Sequence, residues 1–151
     1  LTTDLVDGMV AHGTALVPTA LQLNRFPQYA DQAAEKFPAY AATIRDLHSR
    51  RRDTIMAAYE AGVPIYAGTD AGGVLPHGLI ADEVLALHEL VGLSTVDALA
   101  SASWAARDWL GRPVLGAGDP ADLVVYDVDP LADLRALAHP RAVVLRGRVV
   151  A

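Results

Sequence analysis

The chain has 151 residues, 18 acidic against 12 basic side chains and a formal charge of −6. That length predicts one domain with a real core, and the charge argues against a nucleic-acid binder, because neutralising phosphates needs a basic surface. With 52% apolar but only 6% aromatic residues it reads as a helix-rich globular chain. The lack of cysteine excludes disulfide scaffolds, thiolate metal sites and cysteine nucleophiles.

A hydroxyl cap candidate at Thr2 or Thr3, apolar Leu5, Val6, Met9 and Val10, and a stop at Gly13 predict a first short helix. Ala15-Leu16-Val17, ended by Pro18, suits a strand buried on both faces, and a loop rich in polar and ring residues is expected after it. From Ala39 to Ala61, Tyr40, Ile44, Leu47, Ile55, Ala58 and Tyr59 recur at helical spacing, which predicts the longest helix; Arg50-Arg51-Arg52 reads as its solvated face. Val63 to Ala67 is a second strand, with Pro64 tolerable near its start, so strand, helix and strand make a βαβ unit. The glycine-rich loop Gly68 to Gly73 follows, then a helix from about Leu79 to Val91 with Ile80, Val84, Leu87, His88 and Val91 on one face, stopped by Gly92. Ser94 and Asp97 have capping-box spacing for a further helix, continuing to Gly111. From Arg112 the texture is β-rich: Leu123 to Tyr126 is a strand, and Val143 to Leu145 with Val149-Val150 flank Arg146-Gly147-Arg148 as a hairpin. The expected organisation is an α/β portion over 1–111 and a β-rich tail over 112–151, the tail too small to bury itself.

Asp70 is the first candidate for chemistry. Functional groups of parallel α/β proteins collect where strands end, and Gly68-Thr69-Asp70 puts a carboxylate there ahead of glycines that let the backbone turn around a ligand. The same pattern also suits a plain turn former or helix cap. His77, on the same loop, is a candidate for contact with a substrate or metal, since imidazole titrates near neutrality and ligates readily. His88 reads as a satisfied core histidine, His12 as a helix-terminal one, and no His-x-His or His-Glu-x-x-His pair is present. Serine-hydrolase, Walker and dinucleotide motifs are missing too.

Several stretches, in order, resemble the C-terminal part of the amidohydrolase superfamily. They are Gly62 to Gly72, His77-Gly78, Gly92-Leu93-Ser94 with Ala98-Leu99, Ala105-Ala106, Leu110-Gly111, and Gly116-Ala117-Gly118-Asp119-Pro120-Ala121-Asp122-Leu123-Val124-Val125. The closest likeness is to the imidazolonepropionase-like and the metal-dependent, prolidase-like dipeptidase branches. The resemblance implies a (β/α)8 TIM-type barrel, of which this chain holds strands 7 (at Val17-Pro18-Thr19) and 8 with their helices, and a tail from the family's small β-sandwich. It implies a divalent metal, zinc or similar, and a hydrolase acting on the C–N bond of an amide, cyclic amide or dipeptide with metal-activated water. By the same resemblance Asp70 is the strand-8 aspartate, metal ligand and proton shuttle, and His77 lies near the substrate.

Nothing in the sequence matches the family's strand-1 His-x-His, its strand-4 lysine or glutamate, or its strand-5 and strand-6 histidines, and such a barrel needs about 250 residues. With Leu1 in place of an initiator methionine, the chain is expected to be a piece of a longer hydrolase, unable to assemble the metal site alone. The alternative is a truncated, non-catalytic α/β domain that self-associates or binds a partner through exposed barrel edges. No run approaches the roughly 18–20 apolar residues of a membrane span and no leader pattern is seen, so no membrane partner and a cytoplasmic location are expected.

Overall fold

The two short apolar runs lie side by side and parallel in the computed structural model, which describes residues 1–112 and 114–151. Leu16 pairs with Ile65: the Leu16 N–H donates to the Pro64 carbonyl at 2.8 Å, and the Tyr66 N–H donates to the Leu16 carbonyl at 3.0 Å. The expected strands are thereby reduced to a single bridge, and two prolines account for it. A parallel ladder through this pair would next need N–H donors at positions 64 and 18, where Pro64 and Pro18 have none. Val17 is 43% exposed, so the first run is not covered on both faces as its apolar character suggested.

Helix α1 (Thr3–Ala11) precedes the first run, and its Val6 packs with Ala58 and Val63. Thr2 stands at the cap position, but it is the Thr2 carbonyl, not the hydroxyl, that takes the amides of Leu5 and Val6. The stretch expected to be a loop instead carries α2 (Ala20–Leu23) and α3 (Phe26–Ala33). Polar side chains and Pro27 masked a helical signal: Phe26, Ala30 and Ala34 are spaced by four, and Ala30 is fully buried against Ala41 and Ile44. Helix α4 (Pro38–Glu60) starts on a proline, which costs nothing where the first-turn N–H has no helical partner. It buries Ala41, Ile44, Ile55 and Ala58, while Tyr40 and Leu47 from the expected apolar stripe stay exposed. Arg50 pairs with Asp46 within the helix, while Arg51 donates to the His48 carbonyl and to Asn24, and Arg45 pairs with Asp31 of α3.

Helix α5 (Ile80–Ala86) runs into a wider π-helical segment, Leu87–Val91, closed by Gly92 at φ 111°. The amides of Gly92 and Leu93 both donate to the Leu87 carbonyl. Ser94 caps α6 (Thr95–Ala100) as its spacing predicts, its hydroxyl oxygen accepting the Asp97 N–H at 3.1 Å. Helix α7 (Trp104–Trp109) completes the helical part. The tail forms an antiparallel sheet, β1 (Leu123–Val125), β2 (Ala142–Leu145) and β3 (Arg148–Val149), in that order. Its second turn, Arg146 at φ 49° and Gly147 at φ 75°, has the two left-handed residues that a tight hairpin requires. A short 3-10 helix, Leu134–Ala138, inserts Leu134 into the main core around Val84, Leu87 and Leu93, fastening the tail to the helices. Among the described residues no helix is long and apolar enough to cross a membrane.

Candidate functional site

The paired strands end together, and each ends in a left-handed residue: Thr19 at φ 51° after the first, Asp70 at φ 51° after the second. Aspartate tolerates that conformation better than most residues, whereas a β-branched threonine there is strained. Just before Asp70, Gly68 allows the two strands to approach. A Cβ on Gly68 would stand 2.5 Å from Val17 Cγ1, inside any real contact.

The loop after Asp70 folds back on itself. The Gly72 N–H donates to the Leu75 carbonyl at 3.0 Å, and Leu75 is buried, which anchors the turn. Gly72 is left-handed at φ 109°, and a Cβ there would lie 3.4 Å from His77 Cε1 and 3.5 Å from Nε2, so the imidazole rests against this glycine. Both residues singled out from the sequence therefore belong to one exposed turn at a strand end. Among the described residues no hydrogen bond or ion pair holds either side chain, so a carboxylate and an imidazole face solvent, available to a ligand. His88 and His12 are occupied as expected, their Nδ1 atoms against the Leu93 carbonyl at 2.7 Å and the Gly8 carbonyl at 2.8 Å.

One acidic residue escaped the sequence reading. Glu83 is completely buried, and its two carboxylate oxygens accept the amides of Ala20 at 2.6 Å and Leu21 at 2.9 Å. Burial pushes its carboxyl above the ordinary glutamate range, against the opposing pull of the two N–H donors. The signal was there: Glu83 falls between Ile80 and Leu87 at helical spacing, an acid on an otherwise apolar face.

Whether these side chains could hold a metal is a question of donors. Structural and catalytic zinc sites use three or four protein ligands, and among the described residues no group of three or more His, Cys, Asp or Glu is close enough to hold an ion. Asp70 and His77 by themselves do not fit a metal. A cavity of about 440 Å³ lies between α5, α6 and α7 and the tail sheet, and neither Asp70 nor His77 lines it. Ile80, Leu99, Tyr126 and Val143 line it, with the Arg107–Asp122 ion pair, 4.0 Å apart, at its wall.

Comparison with known proteins gives a consistent result. The model of the amidohydrolase family matches residues 2–150. An uncharacterised protein of Mycobacterium tuberculosis strain H37Rv and one of Mycobacterium bovis are each 52% identical over 148 residues, covering 98% of this chain. The chain spans 40% of the length of those relatives. Among solved structures, a Xaa-Pro dipeptidase with bound methionine in its active site superposes with a TM-score of 0.78 at 25% identity, over 99% of this chain and 37% of that one. A prolidase complexed with N-methylphosphonate-L-proline gives 0.78 at 26% identity, over 99% and 38%. The fold is thus α/β and resembles amidohydrolase barrel proteins, of which it covers about a third of the length.

Proposed function

Because the chain belongs to the amidohydrolase family, we propose that it is the C-terminal portion of a hydrolase that splits the C–N bond of a small amide, cyclic amide or dipeptide. In this reading the Leu16 and Ile65 strands are the seventh and eighth of a (β/α)8 barrel, residues 1–111 are its partial barrel, and 112–151 belong to an accessory sheet. The observation that carries the reading is the placing of Asp70: solvent-facing, at the C-terminal end of the second parallel strand, on a glycine turn shared with His77. Active groups of such barrels sit at this edge.

Asp70 takes the proton of the attacking water and returns it to the leaving nitrogen, a task suited to a carboxylate held by backbone alone and free of competing partners. His77 contacts the substrate from the facing side of the turn. The family is generally metal-dependent, and a metal would polarise the scissile carbonyl and acidify water. Since the described donors do not fit an ion by themselves, Asp70 is one donor of a set completed by residues outside this chain, with zinc the expected ion.

The test is hydrolysis of a panel of Xaa-Pro dipeptides and N-acyl amino acids by the polypeptide that carries residues 1–151 at its natural length, supplied with Zn²⁺. Asp70→Asn keeps the shape and removes the base, so kcat should fall by about 100-fold or more. Turnover close to wild type would end the assignment.

A second reading, a non-catalytic domain that self-associates, has one observation in its favour: Val124, Val125, Leu145 and Val149 of the tail sheet are all exposed.

A further inference from the structure

Glu83 lies on α5, the helix that directly continues the Asp70 loop, and its carboxylate reaches across to the turn that ends the other strand. Two facts make this contact unlike ordinary packing. First, a fully buried carboxylate is expensive, and among the described residues no cation pairs with Glu83; only the amides of Ala20 and Leu21 offset its charge. An apolar side chain at position 83 would continue the buried face of Val84 and Leu87, so filling the core does not call for glutamate. Second, what the carboxylate holds is a strained piece of backbone. Thr19, immediately before the two bonded amides, is a β-branched residue at φ 51°, a conformation that persists only where its surroundings impose it.

We infer that Glu83 is a positioning residue of the candidate site, its carboxylate latching the turn Pro18 to Leu21 beside the strand end that carries Asp70. This rests on the reading of that strand edge as the site. Helix α5 then holds both strand-end loops, one through the chain and one through two hydrogen bonds, and the Thr19 turn forms a fixed wall for whatever binds at Asp70. Glu83 itself is buried and touches no substrate; it acts through the turn.

Amide hydrogen exchange of the polypeptide that carries residues 1–151 at its natural length, read by NMR on selectively labelled protein, tests the latch. Ala20 and Leu21 occupy the first two positions of α2, where amides have no helical acceptor and ordinarily exchange freely. In the wild type they should be protected at least about 10-fold over their unstructured rates. A through-hydrogen-bond coupling should also join the Ala20 nitrogen to the Glu83 carboxyl carbon. In Glu83→Met, which removes the acceptors and keeps an apolar filling, protection of these two amides should vanish while Leu87 and Val91 keep theirs. Glu83→Gln, with a single carbonyl oxygen, should protect at most one of the pair.

If protection falls equally along α5 and α2 in Glu83→Met, Glu83 is merely part of the core and the inference is overturned. If neither variant folds, the wild-type coupling and protection decide, and their absence overturns it. The outcome is separable from the hydrolase reading. An intact latch with an Asp70→Asn enzyme of full activity defeats the site, and so its positioning residue; a missing latch with an inactive Asp70→Asn defeats the inference alone.

Discussion

Gly68→Ala is the sharpest probe of how the two strands are spaced. The added Cβ would meet Val17 Cγ1 at 2.5 Å, whereas carbon atoms pack at about 3.5–4.0 Å, so one of them must move by about 1 Å. Val17 is β-branched and stiff at χ1, and the neighbouring Leu16 is fixed by its bonds to Pro64 and Tyr66. Overpacking of this kind costs about 1–3 kcal/mol. Against it stands a gain of about 0.4–1 kcal/mol from a less flexible unfolded chain, available because Gly68 is not in the left-handed region. Wild type should therefore lose stability on Gly68→Ala. In a Val17→Ala background, with the clashing methyl removed, the same change should stabilise by about 0.4–1 kcal/mol. Urea unfolding followed by circular dichroism across the four-member cycle reads the difference as a coupling of about 1–3 kcal/mol. Additivity within about 0.5 kcal/mol, or a Gly68→Ala chain more stable than wild type, would refute the contact and with it the strand spacing at the Asp70 edge.

Asp97 is held below the usual aspartate range, first by the Ser94 hydroxyl and then by that of Tyr59. A depressed folded pKa gives stability that is present above the unfolded value, about 3.9, and is lost as pH falls through the folded one. The stability advantage of wild type over Asp97→Asn should thus be level from pH 7 to about 5 and fade below about 4, and an advantage that grows on acidification would contradict this. For the self-association reading, sedimentation velocity over a wide concentration range should show reversible dimers or larger species, and Val124→Lys with Val149→Lys should shift them toward monomer. A single monomeric boundary at every concentration would eliminate it.

Local chemistry made much of this fold legible. The Ser94 cap, the Arg146-Gly147 hairpin and the stops at Gly13 and Gly92 each depend on a few adjacent residues, and each is found where the sequence put it. The two strands were located by their apolar runs, but their reduction to one bridge depends on which amide faces which carbonyl across the pair, and the meaning of Pro18 and Pro64 emerges only once Leu16 sits opposite Ile65. Helices α2 and α3 were lost because polar residues and Pro27 outweighed a short periodic signal. Loop chemistry puts the candidates Asp70 and His77 on one turn, where the structure has them; the apolar face around Glu83 marks a buried acid, but not its partners, which are backbone amides more than sixty positions away and have no sequence signature.

The bridge between Leu16 and Ile65 also bears on how the molecule comes together. The hairpin of β2 and β3 and the packing of α3 on α4 join segments close in sequence, while this bridge joins two positions between which α2, α3 and α4 all lie. Closing so long a loop sacrifices chain freedom, a penalty growing as about (3/2)RT ln n, and a single pair of bonds offers little in return. The contact that brings Asp70 beside the Thr19 turn is therefore of the nonlocal kind that raises contact order and slows folding, and the edge depends on the packed core around Ala20 and Ile65 to hold it closed.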